Sequence, residues 1–253
     1  MNEVFNVTLL PAPEKFQNMN DLKKDAEDFV NGVTLLIDKP LEWTSFDIVK
    51  KIKALLRHTK GLKKLKVGHA GTLDPLASGL LIICTGKKTR EIEKFQNLEK
   101  EYTGTFYVGA STPSSDLETQ PDEFFPTGHI TDEMIDAAAK KFTGKINQVP
   151  PLFSAKKIQG ERAYYHARRG EDTILKPNEI TIHEMEILGR QIPEIDFRVV
   201  CSKGTYIRAL ARDFGKELNS GAYLKNLRRT RIGEFSVDQA WQIELLEKFL
   251  REP

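Results

Sequence analysis

The sequence predicts an α+β fold, a mixed, mostly antiparallel sheet with flanking helices. Strand-like alternation, as in Ile195, Phe197, Val199 and Cys201, mingles with amphipathic helical spacing, as in Ile207, Leu210, Ala211, Phe214 and Leu218. The two kinds of segment follow no regular strand–helix rhythm, which argues against a parallel α/β sheet. The 253 residues are 40% hydrophobic and 29% charged, enough chain to bury a core in one large domain or two small ones.

Taken in order, residues 1–31 read as an N-terminal arm and residues 32–253 as the main domain. The arm has a short apolar start, Pro11 and Pro13, a weak helical pattern through Leu22, Ala26 and Phe29, and a stop at Asn31-Gly32. Val33 to Ile37 is a strand, and Asp38-Lys39-Pro40 turns out of it. Thr44-Ser45-Phe46-Asp47 has the form of a capping box, and Ile48, Ile52, Leu55 and Leu56 continue as a helix to about Arg57. A basic loop then enters the stretch Val67 to Gly79, read as a glycine-rich loop in front of a buried strand, Leu80 to Cys84. Ile92, Phe95 and Gln96 suggest a short helix, and Glu101 to Gly109 a strand with Tyr102, Phe106 and Val108 on one face. Residues 110–129 are a polar surface loop. A helix from Thr131 through Met134, Ala138 and Phe142 ends at Gly144.

The prolines of Gln148 to Lys157 require an extended segment, and Arg162 to Arg169 could form a short helix. Ile180 and Ile182 change parity with Met185 and Ile187, which predicts a strand with a bulge near Glu184. A strand over Ala222 to about Ile232 and a closing helix around Trp241, Leu245 and Phe249 complete the chain.

Charge and cysteine usage narrow the function classes. No apolar run approaches the roughly 20 residues that cross a bilayer, and the N-terminus lacks the basic region of a signal peptide. Cys84 and Cys201 have no Cys or His at metal-ligand spacing and read as small core residues in a reducing compartment, by default the cytoplasm. The net charge is only +2, but positive charge is segregated. It gathers at Lys60, Lys63, Lys64 and Lys66, at Lys87, Lys88 and Arg90, at Arg168 with Arg169, and at Lys225, Arg228, Arg229 and Arg231. Lysine and arginine clusters displace counterions from phosphates, so the pattern suits nucleic acid. A merely solvated surface would look similar.

Three separated segments carry candidate chemistry: His69 with Asp74, Tyr102 opening a strand, and Ser202 to Arg208 opening a helix. Asp74 precedes Pro75, which biases it toward an extended conformation and puts its carboxylate on a fixed loop. Tyr206 and Arg208 lie where a strand yields to a helix and could project from the sheet end. Each alone has an ordinary reading: a turn-capping Asp, a loop His, a packed Tyr, a surface Arg.

Together they form a pattern. Gly68-His69-Ala70-Gly71-Thr72-Leu73-Asp74-Pro75 resembles the signature of the TruB-type pseudouridine synthases. The resemblance extends from about Val33 to Phe235. It includes Asp38-Lys39-Pro40 with Trp43-Thr44-Ser45, Lys100-Glu101-Tyr102, Val149-Pro150-Pro151 with Ser154-Ala155, Gly204 to Arg208, and Tyr223-Leu224 through Leu227-Arg228-Arg229. It implies the pseudouridine synthase catalytic fold and isomerisation of the T-loop uridine at position 55 of tRNA, by way of a flipped-out nucleotide. Asp74 would be the nucleophile, Arg208 its ion-pairing partner, and Tyr102 the ring that stacks on the uracil and assists proton removal. Tyr206 and Leu227 would wall the base pocket, and His69 would help hold the T loop with its base extruded. No metal or other cofactor is implied, since product and substrate are isomers. The implied partner is the tRNA T stem-loop, with no membrane and no obligatory protein partner, the enzyme acting as a monomer. Many relatives carry a C-terminal RNA-binding PUA domain, for which the residues up to Pro253 leave no room.

Two rivals share parts of the pattern: a dyskerin-like synthase guided by RNA within a particle, and a tRNA-folding module without chemistry. A phosphate-cradling glycine loop does not fit, because no Gly-Lys-Ser/Thr follows at the needed spacing.

Overall fold

The structure is a computed structural model and describes residues 9–10, 25–153, 157–158, 161–162, 165, 169 and 175–251. Most of the expected N-terminal arm, the Ser154-Ala155 pair and most of the expected 162–169 helix lie outside the described residues. The chain divides into two compact units, residues 1–100 with 228–253, and residues 101–227.

The first unit opens with β1 (Leu9–Leu10), α1 (Ala26–Asn31), β2 (Thr34–Lys39), α2 (Ser45–Lys60), β3 (Val67–Ala70), β4 (Ala77–Thr85) and α3 (Ile92–Asn97). The second holds β5 (Lys100–Val108), which begins at the boundary, β6 (Ala110–Ser111), β7 (Glu123–Phe124), α4 (Asp132–Phe142) and β8 (Gly144–Gln148). It continues with β9 (Lys157–Ile158), β10 (Glu161–Arg162), β11 (Asn178–Gln191), β12 (Glu194–Cys201) and α5 (Ile207–Glu217). The long strand β13 (Ala222–Ile232) returns the chain to the first unit, which ends with β14 (Phe235–Ser236) and α6 (Ile243–Arg251).

The first unit's strands run in the order β1-β2-β4-β13, with β3 on β4 and β14 on β13. Strand β2 pairs antiparallel with β4, as do β3 with β4 and β14 with β13, whereas β1 joins β2 in parallel. Alternation decides which side chains fill which core. Leu35 and Ile37 of β2 and Leu81 and Ile83 of β4 pack against α2 residues Ile48, Ile52, Leu55 and Leu56 and against Trp241, Ile243, Leu246 and Leu250. Leu36, Leu80, Ile82 and Cys84 point to the opposite face, toward Phe95, Ile232 and Phe235. The run Leu80–Cys84 is unbroken because both faces of β4 are covered. Burial of each such Leu or Ile contributes roughly 1.5–3 kcal/mol. Helix α1 belongs to this core through Phe29, which is fully buried.

Helix α2 starts at the expected box: Asp47 N–H donates to Thr44 Oγ1 at 3.0 Å, and Thr44 N–H to Asp47 Oδ2 at 3.1 Å. It ends at Gly61, whose φ of 69° is the left-handed conformation glycine adopts freely. The glycine-rich stretch is more regular than expected, since its flanks, Val67–Ala70 and Ala77–Gly79, are strand. Gly79 has a φ of 104°, and a Cβ there would collide with the Arg229 carbonyl oxygen, so only glycine permits this approach of β4 to β13.

In the second unit the order is β13-β5-β12-β11-β8, and β11 pairs antiparallel with both β12 and β8. The register of β11 on β12 shifts between Ile182 and Glu184, the expected bulge, and again between Ile187 and Gly189. Phe106 stacks on Phe197 with ring centres 4.0 Å apart, and Phe214 of α5 packs on Phe106 at 5.2 Å.

Candidate active site

In the first unit, the loop from Gly71 to Leu76 that carries Asp74 is pinned from three directions. Buried Ser45, the first residue of α2, accepts from Leu73 N–H at 2.8 Å and donates to Leu73 C=O at 3.0 Å. Arg229, 1% exposed, donates through Nε to Leu80 C=O at 2.7 Å and through its terminal nitrogens to the carbonyls of Gly71 and Thr72 at 3.2 and 3.5 Å. Lys39 is fully buried, and its Nζ donates to the carbonyls of Pro40 and Trp43 at 2.8 and 2.7 Å and reaches that of Pro75 at 3.5 Å. Asp74 thus sits between a residue held by Ser45 and a residue held by Lys39, and its own carbonyl accepts from Ala77 N–H at 3.1 Å.

The electrostatics of this loop are dominated by buried cations. Burial pushes the Lys39 ammonium down to about 8, the Asp74 charge opposes that shift, and the Arg229 charge adds to it. His69 lies on β3 opposite Ile83. Burial first, and then the Arg229 charge, lower its pKa, so the ring is neutral at pH 7. Its Nδ1 is buried and has no hydrogen-bond partner among the described residues. Burial likewise pushes the Cys84 thiol up to about 12, which leaves it an inert core residue.

In the second unit, Tyr102 lies on β5 and is 8% exposed. Gly104 follows it against the Asn226 carbonyl of β13. Tyr206 and Arg208 sit at the start of α5, as expected. The backbone there is gripped by Gln148, a buried residue at the end of β8: Tyr206 N–H donates to its Oε1 at 2.8 Å, and its Nε2 donates to Tyr206 C=O at 3.1 Å. Arg208, 6% exposed, lies with Nε 3.5 Å from Asp116 Oδ2 and donates to Ser114 C=O at 3.4 Å. Asp116 is itself buried, and its Oδ1 accepts from Glu118 N–H at 3.0 Å. Leu227 is 9% exposed on β13, where Leu224 N–H donates to Ser115 C=O at 3.0 Å and ties the Asp116 loop to the strand.

The first unit therefore groups His69 and Asp74 with Lys39 and Arg229, and the second holds Tyr102, Tyr206, Arg208 and Leu227. Sequence reading assigns no supporting role to Ser45, Gln148 or Asp116. Ser45 enters only within the capping box and the Trp43-Thr44-Ser45 match, and Asp116 only through a loose family likeness, with Gly109 and Thr112, in a stretch read as a surface loop. Arg229 was read as part of a phosphate-binding cluster, but it is buried and spends its donors on loop carbonyls. Its neighbours are engaged too: Arg228 binds Asp38 through two bonds at 3.0 and 2.7 Å, Arg231 pairs with Glu99, and Lys225 with Glu194.

Chemically, the first-unit loop offers a carboxylate on an immobilised backbone beside a buried ammonium, and the second offers a guanidinium and two phenols from rigid elements. That inventory suits nucleophilic attack by a carboxylate on a bound aromatic base or its sugar.

Comparison with known proteins agrees. Residues 57–207 match the TruB family pseudouridylate synthase N-terminal domain. The tRNA pseudouridine synthase B of Flavobacterium johnsoniae is 58% identical over 226 residues, 89% of this chain and 99% of that protein. The protein of the same name from Phocaeicola vulgatus is 53% identical over 223 residues, covering 88% and 95%. Among solved structures, a chain of an H/ACA RNP bound to a substrate RNA containing 2'-deoxyuridine superposes with a TM-score of 0.64 at 26% identity, over 89% of this chain and 56% of that one. A Cbf5-Nop10-Gar1 complex gives a TM-score of 0.64 at 28% identity, over 89% and 55%. The chain thus spans little more than half the length of those two solved chains. A family match over more than half the chain, spanning the loop that carries Asp74, together with relatives more than 50% identical over most of its length, places it: the chain belongs to the TruB family of pseudouridylate synthases.

Proposed function

We propose that this enzyme isomerises the T-loop uridine at position 55 of tRNA to pseudouridine, with Asp74 as the nucleophile. The glycosidic N1–C1′ bond breaks, the uracil turns, a C5–C1′ bond forms and the C5 proton is lost while N1 regains one. No electrons are exchanged with any other molecule. A carboxylate suits the task because it can form an ester-like bond and release it, dividing one hard step into easier ones. The observation that carries this reading is the triple pinning of the Asp74 loop by Ser45, Arg229 and Lys39. A nucleophile must meet its target with little freedom to wander. Tyr102 stacks on the extruded uracil and assists proton removal, and Arg208 serves as the cation that the family resemblance pairs with the nucleophile. Tyr206 and Leu227 wall the base, and neutral His69 helps hold the opened T loop. Extrusion costs a few kcal/mol, which stacking and contacts to the flipped base offset.

The relatives named tRNA pseudouridine synthase B support tRNA as the substrate. The neighbours solved within RNPs raise the guide-RNA alternative. Residues 32–253 serve as the catalytic domain, working as a monomer without an obligatory protein partner, in the cytoplasm. Purified protein incubated with a bare T stem-loop transcript, followed by single-nucleotide mapping of pseudouridine, tests both points. Activity supports the stand-alone enzyme, and activity only with a guide RNA and added proteins supports the alternative. Asp74→Asn keeps the shape and removes the nucleophile. It should abolish turnover while RNA binding stays within about an order of magnitude. Near-normal product from that variant would refute the assignment of Asp74.

A further inference from the structure

The sequence contains four basic clusters, and the structure separates them by what their charges already do. The 225–231 cluster is consumed by ion pairs and loop carbonyls. The segment after α2 is different. Lys53, Lys63, Lys64, Lys66 and Arg90 are exposed and form no ion pair among the described residues. Among the described residues, exposed Arg57 binds only the ring of His58, at 3.3 Å.

These cations are held in a fixed array. Residues 61–66 form a ridge whose Leu62 and Leu65 pack into the first unit's core while the lysines point outward. The ridge is tied down at both ends, Leu62 N–H donating to Leu56 C=O at 3.3 Å and Gly86 N–H to Lys66 C=O at 2.8 Å. A groove of about 470 Å³ flanks it on the side of α2, lined by Lys53 and Arg57. A second, of about 450 Å³, flanks it on the other side, lined by Arg90. Lysines 63 and 64 line both. Among the described residues, no carboxylate and no aromatic side chain lines either groove.

We propose that this ridge and its two grooves grip the phosphate backbone of a double-stranded RNA stem, outside the T loop. The proposal rests on the reading of tRNA as substrate and adds where the stem is held. The lining chemistry selects the partner. Single-stranded RNA is held by aromatic stacking, for which these grooves have no ring, whereas duplex RNA is recognised through phosphates and shape. Protein interfaces are depleted of lysine at their centre, which disfavours a protein partner. Position agrees: Ser45 touches the loop of Asp74, and Lys53 and Arg57 lie 8 and 12 residues further along α2, about 12 and 18 Å at the helical rise. That separation takes the contact away from the Asp74 loop, as a hold on the stem requires.

The test uses the full chain and a triple variant, Lys53→Gln with Lys63→Gln and Lys64→Gln, whose exposed side chains leave the melting temperature unchanged. Binding is titrated against a short T stem-loop hairpin and against the same hairpin lengthened by one helical turn, over a range of salt. The unaltered chain should bind the longer hairpin more tightly and with steeper salt dependence. The variant should lose that advantage, roughly tenfold in affinity, with a salt slope lower by about two to three, while its turnover on the short hairpin is preserved. Equal loss on both hairpins, or no loss on either, would overturn the proposal. Failure of the catalytic reading has a separate signature, the absence of pseudouridine from the short hairpin with the unaltered chain.

Discussion

Lys39→Met isolates the most unusual interaction in the Asp74 loop, a charged lysine with no exposed surface. Two contributions oppose each other. Losing two charge-assisted hydrogen bonds of 2.7 and 2.8 Å removes about 1.5–3 kcal/mol each, and the 3.5 Å contact to Pro75 adds little. In return, the variant escapes the cost of burying the charge. The fall of the Lys39 pKa from 10.5 to about 8 sets that cost at about 3 kcal/mol. The hydrogen bonds at least break even, so the variant should be up to about 3 kcal/mol less stable at pH 7. The sign with pH is more diagnostic. Between about 8 and 10.5 the unfolded chain still binds the Lys39 proton and the folded chain does not, so the native protein gains stability as pH rises, by up to about 3 kcal/mol. Methionine has no such proton. Urea melts of both proteins at pH 7 and pH 9.5 should therefore show the gap widening with pH, the double difference cancelling every other titrating group. A gap that stays constant or narrows would refute the account of Lys39 as a charge buried at a cost. Turnover should fall through kcat, because the backbone on either side of Asp74 loses one of its anchors.

Three further outcomes follow from the second unit. Asp116→Ala withdraws a carboxylate from buried Arg208 and should destabilise by about 3 kcal/mol in chemical denaturation. Asp116→Asn, which can still accept from Glu118 N–H, should cost less. Gln148→Ala removes both bonds that grip Tyr206 and should cost about 2 kcal/mol, with a loss in kcat on tRNA exceeding any loss in affinity. Gln148→Glu, which keeps the acceptor, should recover part of both. Tyr102→Phe keeps the ring and removes the hydroxyl, so RNA binding should hold within about an order of magnitude while turnover falls; far weaker binding would show that stacking is misassigned.

Much of the fold was legible because its signals are local. Thr44 and Asp47 form their box, the parity change at Glu184 is a bulge, and β13 spans the predicted Ala222 to Ile232. The failures are tertiary in origin. Gly68 and Gly79 looked like loop residues, yet both lie in strands, and at Gly79 the backbone of Arg229 comes too close for a side chain. Gly144 looked like a helix stop, but Thr143 is the cap and Gly144 opens β8. The closing helix turns a different face inward. Ile243, Leu246 and Leu250 are buried, Leu245 is 43% exposed, and Trp241 precedes the helix, bridging to Ile37. A nine-residue helix with apolar residues at both phases does not specify by spacing which stripe meets the core.

The same distinction explains why the residues proposed to react stand out in the sequence while their supports do not. Asp74, Tyr102 and Arg208 come as residue types in a recognisable string, but whether a cation serves RNA or the fold depends on what lies across from it. On β13, Arg228 and Arg229 are adjacent in sequence and point to opposite faces, one to Asp38 and the other into the interior beneath the Asp74 loop. Adjacency in a strand therefore scatters charge. On α2 the spacing of Lys50, Lys53 and Arg57 keeps them on one side of the helix. In the loop that follows, the leucines at 62 and 65 turn inward and leave the intervening lysines outside. There a cluster in sequence remains a cluster in space, and a basic run can be read as a binding surface when helix or anchored-loop geometry preserves its neighbours.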